Sequence, residues 1–252
     1  MSPNNENVQI FPNLRELSLA AAEKFASLAH QAIIKSGRFT VALSGGSTPK
    51  GLHEVLSEPP YRDRVNWSVV YFFWGDERYV PLDHPDSNYR MARETLLSKV
   101  PVPEENILPI HTENLQPHEA AAAYESQLRN FFGETTLPRF NLILLGMGED
   151  GHTASLFPFT PALKESTRWV TENYVEKLQT DRITMTVPLI NNAANILFLI
   201  SGASKAKALK EVLEGPFDPD RLPAQLIRPH SGELLFLVDD QVGGGSHPVA
   251  QF

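Results

Sequence analysis

His152 closes the string Gly146-Met147-Gly148-Glu149-Asp150-Gly151-His152, which follows Asn141-Leu142-Ile143-Leu144-Leu145. An imidazole titrates near neutral pH, so it can take or release a proton under working conditions. A short apolar run that ends in glycines reads as a buried strand followed by a loop that lets backbone approach a ligand closely. In open α/β folds, the carboxyl ends of such strands border the ligand crevice. Gly146, Gly148 and Gly151 also match a dinucleotide fingerprint, but the match is weak. It lies past mid-chain rather than at a first βα turn, and the segment Ser166–Glu172 about twenty residues on makes a poor second strand.

Three further strings combine glycine with polar side chains after an apolar strand. Ser44-Gly45-Gly46-Ser47-Thr48-Pro49 follows the strand Thr40–Ser44 and opens a helix. Free N–H groups and the positive dipole end of a helix suit phosphate, and Ser47 and Thr48 add hydroxyl donors. The spacing is not that of a Walker loop. Gly75-Asp76-Glu77-Arg78 follows the aromatic run Val69–Trp74. Arg78 can hold a phosphate or carboxylate bidentately, and Asp76 can orient a histidine or bind sugar hydroxyls. Ser201-Gly202-Ala203-Ser204-Lys205 follows Asn195–Ile200 and leads into a helix to Leu213. A lysine opposes the dipole at a helix N-terminus, and a bound anion would offset that mismatch. Arg182, before Thr184-Met185-Thr186, is a further candidate anion contact, although taken alone it reads as a surface residue.

The elements that must position these groups alternate between helical and strand patterns. Leu14, Leu17, Ala21, Phe25, Leu28 and Ala32 recur at helical spacing over 13–36, and Gly37 ends that helix. A second helix runs to Leu56, a third from about Ser87 to Lys99 with Asp86 as its N-cap, and a fourth over 118–132 closed by Gly133. Strands are expected at Thr184–Val187 and Glu233–Val238, with a short one at Asn106–Leu108. This order predicts an α/β fold: one doubly wound, Rossmann-like, mostly parallel sheet with helices on both faces. In such a sheet all four glycine-bearing turns fall on one edge. No repeat or linker is visible, so residues 1–252 read as a single domain with a core at about 8–240 and a flexible tail at about 241–252.

Composition narrows the chemistry. The 252 residues are 42% hydrophobic and 21% charged, as in ordinary globular proteins. A net charge of −8 argues against a nucleic-acid partner, which would need a basic face. It also requires that an anionic substrate meet a local basic pocket. Cysteine is absent, so disulfides and thiol chemistry are excluded. No apolar run reaches the ~20 residues of a membrane span, and the polar start shows no secretory signal. A cytoplasmic protein with no membrane partner is expected. Neither a Gly-x-Ser-x-Gly elbow nor a His-Glu-x-x-His helix occurs. The simpler reading is therefore a site with no metal and no cofactor.

The strings Ser44–Pro49, Trp74–Arg78, Gly146–Pro158, Arg182–Thr186 and Ser201–Ala206 resemble, in order, the signatures of the 6-phosphogluconolactonases. These share a fold and the Gly-Asp-Gly-His loop with glucosamine-6-phosphate deaminases and isomerases. Ala154-Ser155-Leu156-Phe157-Pro158 and Arg78 look lactonase-like, whereas deaminases usually carry an Ala-Phe-Asn-Glu-Pro string and Tyr after Asp-Glu. The chain departs from the family at Leu178–Asp181, where prolines are frequent. The resemblance implies hydrolysis of 6-phospho-D-glucono-1,5-lactone, the second step of the oxidative pentose phosphate pathway. It implies a small sugar-phosphate lactone as partner, and a monomer or weak homodimer. His152 would be the general base, with Asp76 orienting it or binding a sugar hydroxyl, and Arg78 facing the oxyanion or the phosphate. Ser47, Thr48, Arg182 and Lys205 would hold the phosphate, with Gly45, Gly46, Gly148, Asp150 and Gly151 completing the substrate site. Two other classes remain open at this stage: a sugar-phosphate deaminase or isomerase, marked by ammonia release, and a non-catalytic sensor. The sensor predicts loss of a catalytic residue, yet Asp76, Arg78, His152 and Lys205 are all present.

Overall fold

The computed structural model describes residues 7–134 and 136–243. In chain order its strands are β1 (Val8–Phe11), β2 (Phe39–Leu43), β3 (Val70–Trp74), β4 (Asp76–Arg78), β5 (Leu142–Leu145), β6 (Val170–Val175), β7 (Thr180–Met185), β8 (Asn195–Ile200) and β9 (Glu233–Asp239). The helices are α1 (Leu14–Ser36), α2 (Ser47–Leu56), α3 (Tyr61–Arg64), α4 (Asn88–Ala92), α5 (Pro117–Phe132), α6 (Val187–Asn191), α7 (Ala206–Glu214) and α8 (Asp240–Gly243). No described helix is long and apolar enough to cross a membrane.

Six strands form a parallel sheet in the order β1-β9-β8-β5-β2-β3. Every residue of β2 and β5 is buried. A parallel sheet needs cover on both faces, which is why its central strands are unbroken apolar runs rather than alternating ones. The helix α1 supplies part of that cover. Its buried positions Leu17, Ala21, Phe25, Leu28 and Ala32 follow helical spacing. Asn13 caps it by accepting from the Glu16 amide at 3.0 Å, and Gly37 closes it at φ 74°, a conformation that suits residues without a Cβ.

Strand order reverses between β2 and β5. The chain leaves β2 for β3 on one side and leaves β5 for β8 on the other. The two strands are still paired, Val41 with Leu142 and Ala42 with Ile143. Beyond their carboxyl ends the two loops diverge and open a crevice, the position that open α/β sheets use for ligands. The fold class expected from the sequence is therefore the one observed.

Several local expectations change. Gly75–Arg78 is not a turn. Gly75 donates its N–H to Leu43 O at 2.9 Å and accepts from Met185 N at 2.8 Å, so it hydrogen-bonds into two sheets. The chain continues into β4, which joins β7 and β6 in a three-stranded antiparallel sheet. The strand expected at Thr184–Val187 is the end of β7, which stops at Met185, and Val187 opens α6; Val170–Val175, a poor second strand of a nucleotide half by sequence, pairs within this second sheet. The third helix is shorter than expected and passes into a wide π turn over Arg93–Leu97. Ser87, not Asp86, caps it, accepting from Arg90 N at 3.1 Å. The cause lies on β4: the buried Glu77 carboxylate accepts from the amides of Asn88 and Tyr89, the negative group that a helix N-terminus favours. The short strand at Asn106–Leu108 reduces to one bridge, Ile107 to Phe72. At the other end, 241–243 belong to α8, and Val242 is buried. The remainder of the expected flexible tail, 244–252, lies outside the described residues.

β3 is an edge strand, and its last residue is closed from the side. The Tyr124 hydroxyl, on α5, accepts from Trp74 N at 2.9 Å and donates to Trp74 O at 3.1 Å. Tyr124→Phe would leave both buried groups unpaired, at a cost of about 1–3 kcal/mol. Thermal unfolding of that variant should begin several degrees lower; an unchanged Tm would mean that another donor closes this edge.

Candidate active site

A cavity of about 410 Å³ sits over the carboxyl edge of the parallel sheet. It is bordered by the loops after β2, β5 and β8 and by the second sheet. Gly45, Gly46, Ser47, Thr48, Asp76, Arg78, Gly148, His152, Arg182 and Lys205 all line it. Asp150 and Gly151 lie behind it and shape the His152 loop.

That loop is held by its own backbone. Gly151 N donates to Gly148 O at 3.0 Å, and Gly148 N donates to His152 O at 2.9 Å. Gly151 adopts φ 74°. At Gly148 any Cβ would stand 2.1 Å from His152 Nδ1, so only glycine leaves room for the ring. The tight turn brings the Asp150 side chain back over the residue two positions on. Asp150 Oδ1 lies 2.5 Å from His152 Nδ1. Sequence reasoning offered Asp76 as the carboxylate that orients His152; the one in contact with the ring is Asp150. Asp76 is buried and accepts from Ser155 Oγ at 2.6 Å instead.

Burial disfavours the Asp150 anion, but hydrogen bonds from His152 and from Lys177, with the charge of His152, outweigh it. The carboxyl is held well below its usual range. An ionised carboxylate only accepts, so Nδ1 carries the proton and Nε2 is the nitrogen free to act as a base. On one face the His152 ring stacks on Phe157, with centroids 4.0 Å apart.

The second sheet delivers charge. Arg78 on β4 stands directly opposite Arg182 on β7. Like charges at facing positions of an antiparallel pair repel. Burial and then Arg78 pull the Arg182 guanidinium below its ordinary value. Among the described residues, neither arginine forms a salt bridge; Arg78 donates to Asp86 O and Arg182 to Asp181 O. Lys205, half-buried at the start of α7, likewise lacks a carboxylate partner among the described residues. Three cations thus border one cavity without neutralisation. Despite the missing prolines at Leu178–Asp181, Arg182 reaches the cavity, because Gln179 turns the β6–β7 hairpin at φ 50°.

The α2 N-terminus completes the cationic side. Gly46 precedes it and no side chain caps it. Gly45 is needed for a separate reason: a Cβ there would fall 1.9 Å from Asn88 Oδ1. Asn88 was not singled out in the sequence. It lines the cavity and donates from Nδ2 to Asp76 O at 3.0 Å. Glu77 fixes the turn that carries it. Burial pushes the Glu77 carboxyl up to about 7, against the amides of Asn88, Tyr89 and Arg78, which favour its ionised form. Lys177 was also missed. It lines the cavity from the β6–β7 hairpin and pairs with Asp150 Oδ2. A charged residue in a short hairpin turn ordinarily reads as solvated, so the sequence carried no local signal for it.

An open parallel sheet with a histidine and a cation-lined crevice at its switch point defines a class of α/β small-molecule enzymes. The family model for glucosamine-6-phosphate isomerases and 6-phosphogluconolactonases matches residues 12–236, and the chain belongs to that family. A 6-phosphogluconolactonase of Synechocystis is 48% identical over 220 residues, covering 86% of this chain and 89% of that one. One from Nostoc is 41% identical over 240 residues, covering 94% and 97%. The structure of 6-phosphogluconolactonase from Trypanosoma cruzi superposes with a TM-score of 0.86 at 28% identity, covering 98% of this chain and 99% of that one.

The depressed Asp150 acidity has a consequence for stability. A carboxyl whose folded value lies below its ordinary 3.8 stabilises the fold above that value, and the contribution fades as pH falls toward the folded value. Asp150→Asn should therefore lower Tm at about pH 6, and the gap to wild type should close as pH falls below about 4. A gap that stays constant down to pH 2 would show that the ionised form is not what stabilises the loop.

Proposed function

We propose that this chain hydrolyses 6-phospho-D-glucono-1,5-lactone to 6-phosphogluconate, within the pentose phosphate pathway, with His152 as general base. The observation that carries the reading is one cavity holding an oriented imidazole and three unneutralised cations. The lactonase names of its relatives support the same reaction.

In the proposed mechanism Arg182 and Lys205, with Ser47, Thr48 and the open N-terminus of α2, bind the phosphate. His152 Nε2 removes a proton from water as its oxygen attacks the lactone carbonyl carbon. Asp150 stabilises the imidazolium that forms. The carbonyl oxygen becomes an oxyanion, met by Arg78 and loop N–H groups; such donors contribute about 10²–10³ each in other enzymes. The tetrahedral species collapses, the bond from carbon to ring oxygen breaks, and the imidazolium proton passes to the departing oxygen. Asp76, held by Ser155, is assigned to a sugar hydroxyl. Neither sheet completes this site alone, which supports treating the chain as one functional domain.

The test is acid release from freshly generated lactone, with the spontaneous rate subtracted. His152→Ala should lower kcat by about 10²–10⁴ with KM little changed. Fast hydrolysis in that variant would move the base elsewhere. Arg182→Ala or Lys205→Ala should raise KM for the phosphorylated lactone about tenfold or more, while leaving hydrolysis of unphosphorylated gluconolactone unaffected. Equal losses on both lactones would remove these residues from the phosphate site. Ammonia release from glucosamine 6-phosphate in place of lactone hydrolysis would turn the assignment to the deaminase branch.

A further inference from the structure

We infer that Lys177, at the tip of the β6–β7 hairpin, is a positioning residue that keeps His152 in its proton-accepting form by acting through Asp150. The inference rests on the lactonase reading and adds to it a control over the base.

One carboxylate bridges two groups. Asp150 Oδ1 holds His152 Nδ1 at 2.5 Å, and Asp150 Oδ2 pairs with Lys177 Nζ. The two groups at its ends also share one apolar neighbour. Phe157 stacks on the His152 ring at 4.0 Å, and Lys177 Nζ stands 5.1 Å from the centroid of the same Phe157 ring. Cation, carboxylate and imidazole thus form a connected row beside an aromatic surface.

A carboxylate on Nδ1 has two effects. It fixes the tautomer that leaves Nε2 free, which catalysis needs. It also favours the imidazolium, which has no lone pair to accept a proton. Unopposed, the second effect lowers the share of neutral rings at a given pH. A cation on the far oxygen of the carboxylate weakens the field at the ring without disturbing the hydrogen bond that orients it. Lys177 occupies that position.

Other charges face the same cavity. Glu149 comes from the His152 loop itself, Asp76 and Arg78 from β4, Arg182 from β7 and Lys205 from the start of α7. In the proposed complex the substrate phosphate neutralises Arg182 and Lys205, and the oxyanion meets Arg78. Lys177 is already matched to Asp150, so its influence on the ring persists in the free and the occupied enzyme. Its side chain is 53% exposed, so the pair contributes little to stability. A role in protonation must therefore be read in pH behaviour, not in Tm.

The experiment compares wild type, Lys177→Met and Lys177→Arg in two ways. One is the pH profile of kcat/KM for the lactone. The other is the titration of the His152 ring by NMR in the substrate-free protein. In Lys177→Met the acidic limb and the ring midpoint should both move to higher pH by roughly half a unit to one unit, as expected for loss of a partly screened charge one carboxylate away. Activity should fall about three- to tenfold near pH 6, with a smaller loss near pH 8. Lys177→Arg should restore both readouts. An unmoved limb and midpoint would overturn the inference. So would a rise in KM with an unmoved limb, which would make Lys177 a substrate ligand. If wild type fails to hydrolyse the lactone, the functional reading falls, and the NMR titration still decides whether Lys177 governs the ring.

Discussion

The peptide of Gly75 ties together two sheets that the chain could otherwise have kept apart. Its N–H belongs to the parallel sheet and its carbonyl to the antiparallel one. The residue before it ends β3 and the residue after it begins β4, so the small sheet starts at the carboxyl edge of the large one. The crevice opened by the reversal between β2 and β5 would be an open groove without that junction. With it, β4 and β7 wall the groove and contribute Asp76, Arg78 and Arg182 to its lining. The site therefore depends on a backbone connection more than on any single side chain.

Charge is handled in two opposite ways within this small volume. Around His152 it is balanced: a carboxylate fixes the ring and an ammonium moderates the carboxylate. Around Arg78, Arg182 and Lys205 it is left unbalanced. Two arginines at facing strand positions gain nothing from each other, and burial adds to the cost. β-pairing on both sides of β7 holds them there regardless. Such an arrangement is a local inconsistency in a chain of net charge −8, and local inconsistencies of this kind mark functional sites.

The parallel sheet was legible because its strands are apolar runs that end in glycine, a pattern set by burial on both faces. The small sheet was not. β4 is Asp-Glu-Arg, three charged residues that read as a solvated turn; their burial comes from partners more than a hundred residues away. β1 is four half-buried residues at a sheet edge, too short for a period to show. Asp86 and Ser87 are equally good caps by local rules, and the deciding group is Glu77 on another element. The candidate residues were named largely correctly as cavity-lining groups, but their pairings were not. Asp150 was placed with the substrate-binding set, and its contact with His152 follows from the turn at Gly148–Gly151. The spacing Asp-Gly-His held that information, since a short acidic side chain readily turns back on the residue two positions on.

The separation of balanced from unbalanced charge divides the proposed site into a binding part and a proton-transfer part. The proposed phosphate subsite draws on a helix N-terminus and on cations from β7 and the start of α7. The proton-transfer unit is built from one loop, closed on itself by Gly148 and Gly151 and touched from outside by one hairpin tip. A change in the first alters how strongly the anion is held. A change in the second alters the fraction of molecules whose ring can accept a proton. The two meet only through the cavity they share, which both line.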